Sequence, residues 1–190
     1  MLTQQEKLRA HEKFEKLAKH LNSHLGGKKR RIKIIRKVNR EIPKGGEREG
    51  VFIKLFLAPV LTSYFEHWSI EVIIEGVNSN GRTQFQDKFF GTKPAVDFLF
   101  EIDKQKRLFS TRHPLPFPLN TVGEVKYGKL TFRSFVTGLG QIIGYLNASK
   151  KFDYGYYIFF NTDIDKTITD RDRRFLDELW EKENIFVVII

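Results

Sequence analysis

The chain has 190 residues, which is enough for one domain with its own hydrophobic core and a small appendage. It contains no cysteine, which excludes disulfides, cysteine-bound zinc, iron–sulfur clusters and a cysteine nucleophile, and which fits the cytoplasmic location that we expect. Its net charge of +10 indicates a polyanionic partner, either nucleic acid or an anionic membrane surface. Since no stretch approaches about 20 uncharged apolar residues, we expect no membrane-spanning segment.

The first 46 residues are predicted to form a helix followed by a basic arm. Residues 4–25 carry leucine and phenylalanine near helical spacing, and Gly26-Gly27 ends this helix. Residues 28–40, KKRRIKIIRKVNR, mix basic and aliphatic residues in a pattern that fits either a helix or a strand. Basic residues at this density neutralise phosphates, so we expect the arm to bind a nucleic-acid backbone, the alternative being a merely solvated face. The expected contacts are Lys28, Lys29, Arg30, Arg31, Lys33, Arg36, Lys37 and Arg40.

Residues 47–190 are predicted to form an α/β core, a central sheet partly covered by helices. The first predicted helix, residues 47–65, must be kinked or interrupted by Pro59. A turn at 103–106 and a proline-rich segment at 110–120 are predicted between two strands. The predicted strands are 67–77, 93–102, 121–127, 155–160 and 185–190, the last buried because its apolar run is continuous, and the other helices are 130–149 and 169–184. The apolar face of helix 130–149 is predicted to comprise Phe132, Phe135, Val136, Leu139, Ile142, Ile143 and Leu146.

The stretch GEVKYGK, residues 123–129, has two interpretations. Its glycines and final lysine have the spacing of a phosphate-binding loop, which would make the protein an ATP- or GTP-binding protein. However, leucine follows Lys129 where such a loop has serine or threonine, and Glu124 would repel the phosphates. Val125 and Tyr127 favour a strand, so a strand is the preferred interpretation.

If GEVKY is a strand, it carries a carboxylate and an amine side by side. Side chains alternate along a strand, so Glu124 and Lys126 point to one face and Val125 to the other. Asp97 lies at the start of an apolar run in the preceding predicted strand. If the two strands pair, Asp97 and Glu124 converge on one divalent cation, and their hard oxygen ligands suit Mg²⁺.

This constellation resembles the PD-(D/E)xK nuclease superfamily, which includes many restriction and repair endonucleases. The resemblance covers roughly residues 47–160, where the order helix, three strands, helix, strand is similar to the core of that fold. Pro94 and Asp97 stand where the family has its Pro-Asp, with two residues inserted, and Glu124-Val125-Lys126 matches the E-x-K half. In the following helix, Gln141 and Tyr145 resemble the family's Gln-x-x-x-Tyr pattern and share one helix face.

The resemblance implies a restriction-endonuclease-like core, with a mixed central sheet flanked by helices and the basic helical arm before it. It implies a Mg²⁺-dependent DNA endonuclease in which Mn²⁺ can substitute. Asp97, Glu124 and the backbone carbonyl of Val125 would then hold the metal, and Lys126 would orient the attacking water or help to neutralise the transition state.

Further roles follow from the same resemblance. An acid on the first helix often joins the site in this family, and we expect Glu49, with Glu47 as the alternative. Gln141 and Tyr145 would position Lys126 or contact the DNA backbone. Cleavage of both strands usually needs two active sites, which favours a homodimer. The alternative function is a non-catalytic nucleic-acid-binding protein that uses the same fold and basic arm.

Overall fold

The structure is a computed structural model that describes residues 2–43, 46–66, 68, 70–85, 93–102 and 117–190. The predicted turn at 103–106 and residues 110–116 of the predicted proline-rich segment lie outside this range. The helices are α1 Gln4–Leu25, α2 Lys28–Glu41, α3 Arg48–Phe52, α4 Ala58–Phe65, α5 Phe132–Ala148 and α6 Asp170–Glu183. The strands are β1 Ile70–Ile74, β2 Phe98–Ile102, β3 Thr121–Gly128, β4 Tyr154–Asn161 and β5 Ile185–Ile189.

The five strands form one mixed sheet in the order β1-β2-β3-β4-β5. β1, β2 and β3 pair antiparallel, and β3, β4 and β5 pair parallel. The connections β3–α5–β4 and β4–α6–β5 each place a helix between parallel strands, as such crossovers require. The predicted α/β class with a mixed sheet flanked by helices is therefore confirmed.

Helices cover both faces of the sheet. On one face, α1, α2, α3 and α4 bury aromatic and aliphatic side chains such as Phe14, Val38 and Phe65 against the strands. On the other face, α5 and α6 enclose a second apolar cluster that includes Ile142 and Tyr157. Because α1 and α2 contribute to the main core, the N-terminal residues are packed onto the sheet; the division predicted at residue 46 remains a prediction.

The helical segments differ in detail from the sequence prediction. Residues 28–41 form a helix, which decides between the helix and strand alternatives. The helix predicted over 47–65 is interrupted beside Pro59, as expected: a π-helical turn at Ile53–Leu57 divides it, and Pro59 stands in the first turn of α4. A proline has no N–H to donate to the preceding turn and crowds its carbonyl, so the wider turn relieves a clash that a continuous α-helix would suffer.

The strands also depart from the predicted bounds. β2 begins at Phe98, five residues later than predicted, and Ala95 makes an isolated bridge to Gln84 instead. β5 lies at the edge of the sheet, which leaves Phe186, Val187 and Ile189 half-buried where complete burial was predicted. Residues 121–128 are extended throughout, so the phosphate-loop interpretation of GEVKYGK is wrong.

β2 and β3 pair over a short distance and then separate. Their register includes Phe98 with Gly123 and Leu99 with Val122, whereas β3 remains paired with β4 from Thr121 to Gly128. From Val125 onward, the edge of β3 that faces β2 therefore has no strand partner among the described residues. This opening in the sheet positions the candidate site.

A substitution of Gly123 tests how closely β2 and β3 approach each other before they separate. A Cβ at this position would overlap the ring of Phe98, which is itself buried in the core. We expect Gly123→Ala to lower the free energy of unfolding by about 1–3 kcal/mol, as overpacked core positions do. Urea denaturation measures the change. Gly128→Ala on the same strand is the matched control, because a Cβ there meets nothing within 4 Å; equal stability of the two variants would contradict the close approach.

Candidate active site

Two carboxylates fill the opening beside β3 and accept hydrogen bonds from its backbone. The N–H of Val125 donates to Oδ2 of Asp97 at 2.6 Å, and the N–H of Tyr127 donates to Oε2 of Glu49 at 3.0 Å. Both N–H groups point to the side from which β2 has separated. Asp97, directly before β2, and Glu49 on α3 thus take the place of the backbone carbonyls that a neighbouring strand would offer. These hydrogen bonds fix both carboxylates relative to β3.

Glu124 and Lys126 form the centre of the site. The side chain of Glu124 is 1% exposed, and its Oε1 accepts a hydrogen bond from Nζ of Lys126 at 2.6 Å. The same ammonium contacts Oε1 of Glu49 at 3.2 Å and the backbone carbonyl of Val125 at 3.0 Å. Oε2 of Glu124 is buried without a hydrogen-bond partner. Lys126 is therefore surrounded by three oxygen atoms, and one further carboxylate oxygen beside it is left unsatisfied.

Burial shifts the acid–base properties of both sheet carboxylates. It raises the pKa of Asp97 to about 6, although the N–H of Val125 and the charge of Lys126 oppose the shift. It raises the pKa of Glu124 to about 8, and the neighbouring charge of Asp97 adds to the effect while Lys126 opposes it. Two carboxyl groups that resist ionisation together indicate a site that requires positive charge.

Lys126 supplies part of that positive charge. Burial alone would lower the pKa of Lys126, but the nearby carboxylates of Glu124 and Glu49 outweigh it, so the net shift is upward. The ammonium therefore stays charged at neutral pH. One lysine offers a single positive charge to three carboxylates, so the cluster has a deficit of positive charge when all of them are ionised.

The structure distinguishes between the two acids proposed for the first helix. Glu49 contacts both Lys126 and the backbone of β3, as described above. Glu47 precedes α3, is exposed and makes no side-chain capping hydrogen bond. Glu49 is therefore the acid that the fold brings to the cluster.

The structure places Tyr145 inside the molecule. It is 7% exposed, and its hydroxyl donates to the backbone carbonyl of Ala95 at 3.0 Å, close to Asp97. Burial raises the pKa of the Tyr145 hydroxyl, and the charges of Glu124 and Asp97 add to this effect. The predicted contact between Tyr145 and a DNA backbone does not fit this position, because the hydroxyl faces the sheet; Tyr145 instead supports the segment that leads into Asp97.

Gln141 is exposed on α5, one turn before Tyr145. A side-chain hydrogen bond from Gln141 favours the ionised form of Tyr145 and so opposes the upward pKa shift. The hydrogen bonds described for Lys126 all go to Glu124, Glu49 and Val125. Gln141 therefore does not hold Lys126 directly, and its exposed position leaves it accessible to a ligand.

One acid near the site was not predicted from the sequence. Glu75 follows β1 directly, its backbone N–H donates to the carbonyl of Asp97 at 2.9 Å, and its charge contributes to the raised pKa of Asp97. Its side chain accepts a hydrogen bond from the hydroxyl of Thr83. The antiparallel pairing of β1 with β2 brings Glu75 beside Asp97. The sequence would have indicated this only if β1 and β2 had been predicted to pair as a hairpin.

α2 presents a row of cations to solvent. Lys29, Lys33, Arg36, Lys37 and Arg40 are exposed and follow one another at helical spacing; we call this surface the basic stripe. The other three predicted phosphate contacts, Lys28, Arg30 and Arg31, have partners within the protein. Lys28 pairs with Asp165 at 2.8 Å, and Arg30 donates to the carbonyl of Ser23.

Arg31 does not fit its predicted role as a phosphate contact. Its guanidinium is partly buried and donates to the backbone carbonyls of Asn161 and Asp163, at 3.1 Å to the latter. These contacts attach α2 to the end of β4. Arg31 therefore sets the position of the basic stripe instead of belonging to it.

The chemistry of the oxygen atoms fits a hard divalent cation such as Mg²⁺. Asp97, Glu124 and the carbonyl of Val125 provide carboxylate and carbonyl ligands, and Oε2 of Glu124 lacks a partner. In the described part of the chain, no three side chains among His, Cys, Asp and Glu are close enough to form a ready-made metal site. The ammonium of Lys126 contacts both Glu124 and Glu49.

No protein-family model matches the chain, and no curated protein or solved structure matches it. Across the described residues, no helix combines the length and apolar character needed to cross a bilayer. The function must therefore be argued from the site itself.

The raised pKa of Glu124 predicts a pH-dependent stability. The group binds a proton more tightly in the folded than in the unfolded protein, so its stabilising contribution is complete below pH 4.5 and is lost as the pH rises to about 8. We expect wild type to lose stability relative to Glu124→Gln across this window, with a limiting slope of about 1.4 kcal/mol per pH unit. Urea denaturation from pH 4.5 to 9 without metal measures the difference, and a difference that does not change with pH would show that Glu124 ionises normally.

Proposed function

We propose that the protein is a Mg²⁺-dependent endodeoxyribonuclease of the restriction or repair type, with a PD-(D/E)xK site. The observation that carries the proposal is Glu124, a carboxylate buried in the sheet beside Lys126 and within the electrostatic reach of Asp97. Burying such a cluster costs stability, because charges lose their hydration. A cluster retained at this cost beside an opening in the sheet supports a catalytic role more strongly than a structural one.

The residues of the cluster divide the chemistry of phosphodiester hydrolysis among them. Bound Mg²⁺ would lower the pKa of a bound water and polarise a phosphoryl oxygen. Asp97, Glu124 and the carbonyl of Val125 would hold the ion. Lys126 would withdraw from that carbonyl, orient the attacking water and offset the charge that develops on the phosphate. Glu49 would keep Lys126 charged and beside the reacting phosphate.

The basic stripe supports DNA as the substrate. Arg31 and Lys28 attach α2 to the segment that follows β4, and β4 runs parallel to β3 beside the cluster. The helix that carries the stripe is therefore attached beside the strands of the cluster, on the face of the sheet opposite α5. A DNA backbone that contacts the stripe would lose condensed counterions, which favours binding at low salt.

Two further parts of the proposal rest on the sequence and on the expected reaction. Cleavage of both strands needs two sites, which a homodimer would supply. A cytoplasmic location fits a chain without cysteine that acts on DNA.

The second candidate is a nucleic-acid-binding protein without catalysis. The basic stripe favours it, since exposed cations at helical spacing bind phosphates whether or not the cluster is active. Plasmid DNA incubated with Mg²⁺ and then with EDTA separates the two functions. Cutting that EDTA abolishes supports the nuclease, whereas salt-sensitive binding without cutting supports the second candidate.

Conservative variants test the catalytic assignments. Glu124→Gln keeps the shape but removes the charge, and we expect nicking of supercoiled plasmid to fall at least about 100-fold because Mg²⁺, which would stabilise the transition state, loses an anionic ligand. Glu49→Gln should cost about 10- to 100-fold, because Lys126 loses a carboxylate that positions it. Glu47→Gln is the matched control and should cleave at the wild-type rate. Wild-type rates for Glu124→Gln would overturn the assignment.

The basic stripe has its own test. Lys33→Ala and Arg36→Ala should each reduce the slope of log K against log salt by about 0.9, because each removes one phosphate contact. Fluorescence anisotropy with duplex DNA at several salt concentrations measures the slope. Lys16→Ala, at an exposed lysine of α1, is the control and should leave the slope unchanged. If the stripe variants also leave it unchanged, DNA binds elsewhere.

A further inference from the structure

Exposed aromatic side chains line a groove between α5 and α6. Phe132 is the first residue of α5 and is 82% exposed, although the sequence predicted it on the buried face of that helix. Phe175 on α6 is 43% exposed and lies near Phe135, with 6.2 Å between the ring centroids. The groove has a volume of about 480 Å³. We call it the aromatic groove, lined by Leu130, Thr131, Phe132, Phe135, Lys166, Ile168, Arg171, Asp172, Phe175, Leu176 and Ile189.

The fold does not require an aromatic residue at position 132. Phe135, one turn later, is 7% exposed and packs against Tyr157 in the core, so it anchors this end of α5 to the sheet. Phe132 leaves most of its ring in water. Val136, one turn after Phe132, is also partly exposed, at 38%. An exposed apolar surface of this kind beside polar residues is typical of an interaction site.

Positive charges lie along the aromatic groove, together with two acids at the start of α6, Asp170 and Asp172. Lys166 and Arg171 line it, and Lys129 and Arg133 are exposed on either side of its first residues. The acid in the lining is Asp172, whose carboxylate accepts hydrogen bonds from the backbone and hydroxyl of Thr169 at the start of α6. Aromatic rings among cations are the combination by which proteins bind single-stranded nucleic acid, through stacking on bases and attraction of the backbone.

The aromatic groove begins a few residues along the chain from the proposed active site. β3 carries Lys126 and ends at Gly128, and α5 begins four residues later at Phe132. The connection is held firmly, because the N–H of Leu130 donates to Oδ1 of Asn161 at 3.1 Å and its carbonyl accepts from Nζ of Lys166 at 2.5 Å. The first residues of the groove therefore follow Lys126 closely along the chain and are held in a fixed position.

We propose that the aromatic groove binds unpaired bases of single-stranded DNA and so directs the enzyme to substrates with a single-stranded segment beside the scissile bond. The preference for such substrates rests on the proposed nuclease function, whereas the binding of single strands does not. A second copy of the chain fits the groove less well. Two such grooves facing each other would bring Arg133, Lys166 and Arg171 against the same cations of the partner, and like charges across an interface oppose association.

The experiment compares three substitutions of Phe132 in the full chain. Fluorescence anisotropy with EDTA present measures binding to a single-stranded oligonucleotide and to the matching duplex. Phe132→Ala and Phe132→Leu should bind the single strand about 10-fold more weakly, within the range expected for the loss of one stacked base, whereas Phe132→Tyr should bind as wild type does. Duplex affinity should change less than about 2-fold in all three, because the duplex is held through its phosphates.

Trp68→Ala provides a matched control at an exposed aromatic residue. Trp68 is 45% exposed and precedes β1, whose Ile70 pairs with Ile102 at the end of β2 that lies away from the opening. Its replacement should leave single-strand affinity unchanged. Thermal melting of every variant checks folding, which the exposure of Phe132 should preserve.

The other possible outcomes would contradict either base stacking in the groove, single-stranded DNA as its occupant, or the nuclease function. If Phe132→Leu retains the wild-type affinity, the groove does not stack bases and the inference is wrong. If the Phe132 variants change the oligomeric state in size-exclusion chromatography without changing DNA affinity, the groove binds a second copy. If wild type cuts plasmid but does not bind single strands, the nuclease proposal survives and the groove proposal fails; single-strand binding by wild type without any cutting gives the reverse result.

Discussion

A carboxylate buried inside the central sheet sets the main physical requirement of this structure. Glu124 is 1% exposed, and its neighbour across the opening is a second carboxylate, Asp97. Such a pair is stable when it is protonated or when positive charge lies beside it. Lys126 provides one such charge, and its ammonium donates hydrogen bonds to oxygen atoms of Glu124, Glu49 and Val125. The identity and position of the cation at this point therefore control both the stability of the sheet and the chemistry we propose.

The opening between β2 and β3 gives the same residues a second role. Where the two strands separate, the N–H groups of Val125 and Tyr127 need new acceptors, and Asp97 and Glu49 supply them. The carboxylates are therefore oriented by the backbone before any ligand arrives, which is the preorganisation that a catalytic site requires.

Part of this arrangement follows from the sequence. The alternation in GEVKY predicted Glu124 and Lys126 on one face and Val125 on the other, and the structure shows that the first is the α5 face and the second faces the main core. The interruption at Pro59 was predicted, although its π-helical form was not. The late start of β2 was not predicted, because the strand pattern does not show where β2 separates from β3. Periodicity assigned Phe132 to the buried face, but a helical pattern does not show where the sheet beneath the helix ends. Tyr145 was misjudged for the opposite reason, since the sequence does not show that its hydroxyl meets the carbonyl of Ala95 inside the molecule.

The most direct test of the account is a crystal structure of the protein soaked with Mn²⁺, with the ion located by its anomalous scattering. We expect one ion about 2.1 Å from carboxylate oxygens of Asp97 and Glu124 and from the carbonyl of Val125, in the range of Mg²⁺–oxygen distances. The ammonium of Lys126 should then have left that carbonyl while keeping its contact with Glu49. An ammonium that stays in place at saturating Mn²⁺, with no ion beside Glu124, would contradict the claim that this cluster requires a divalent cation.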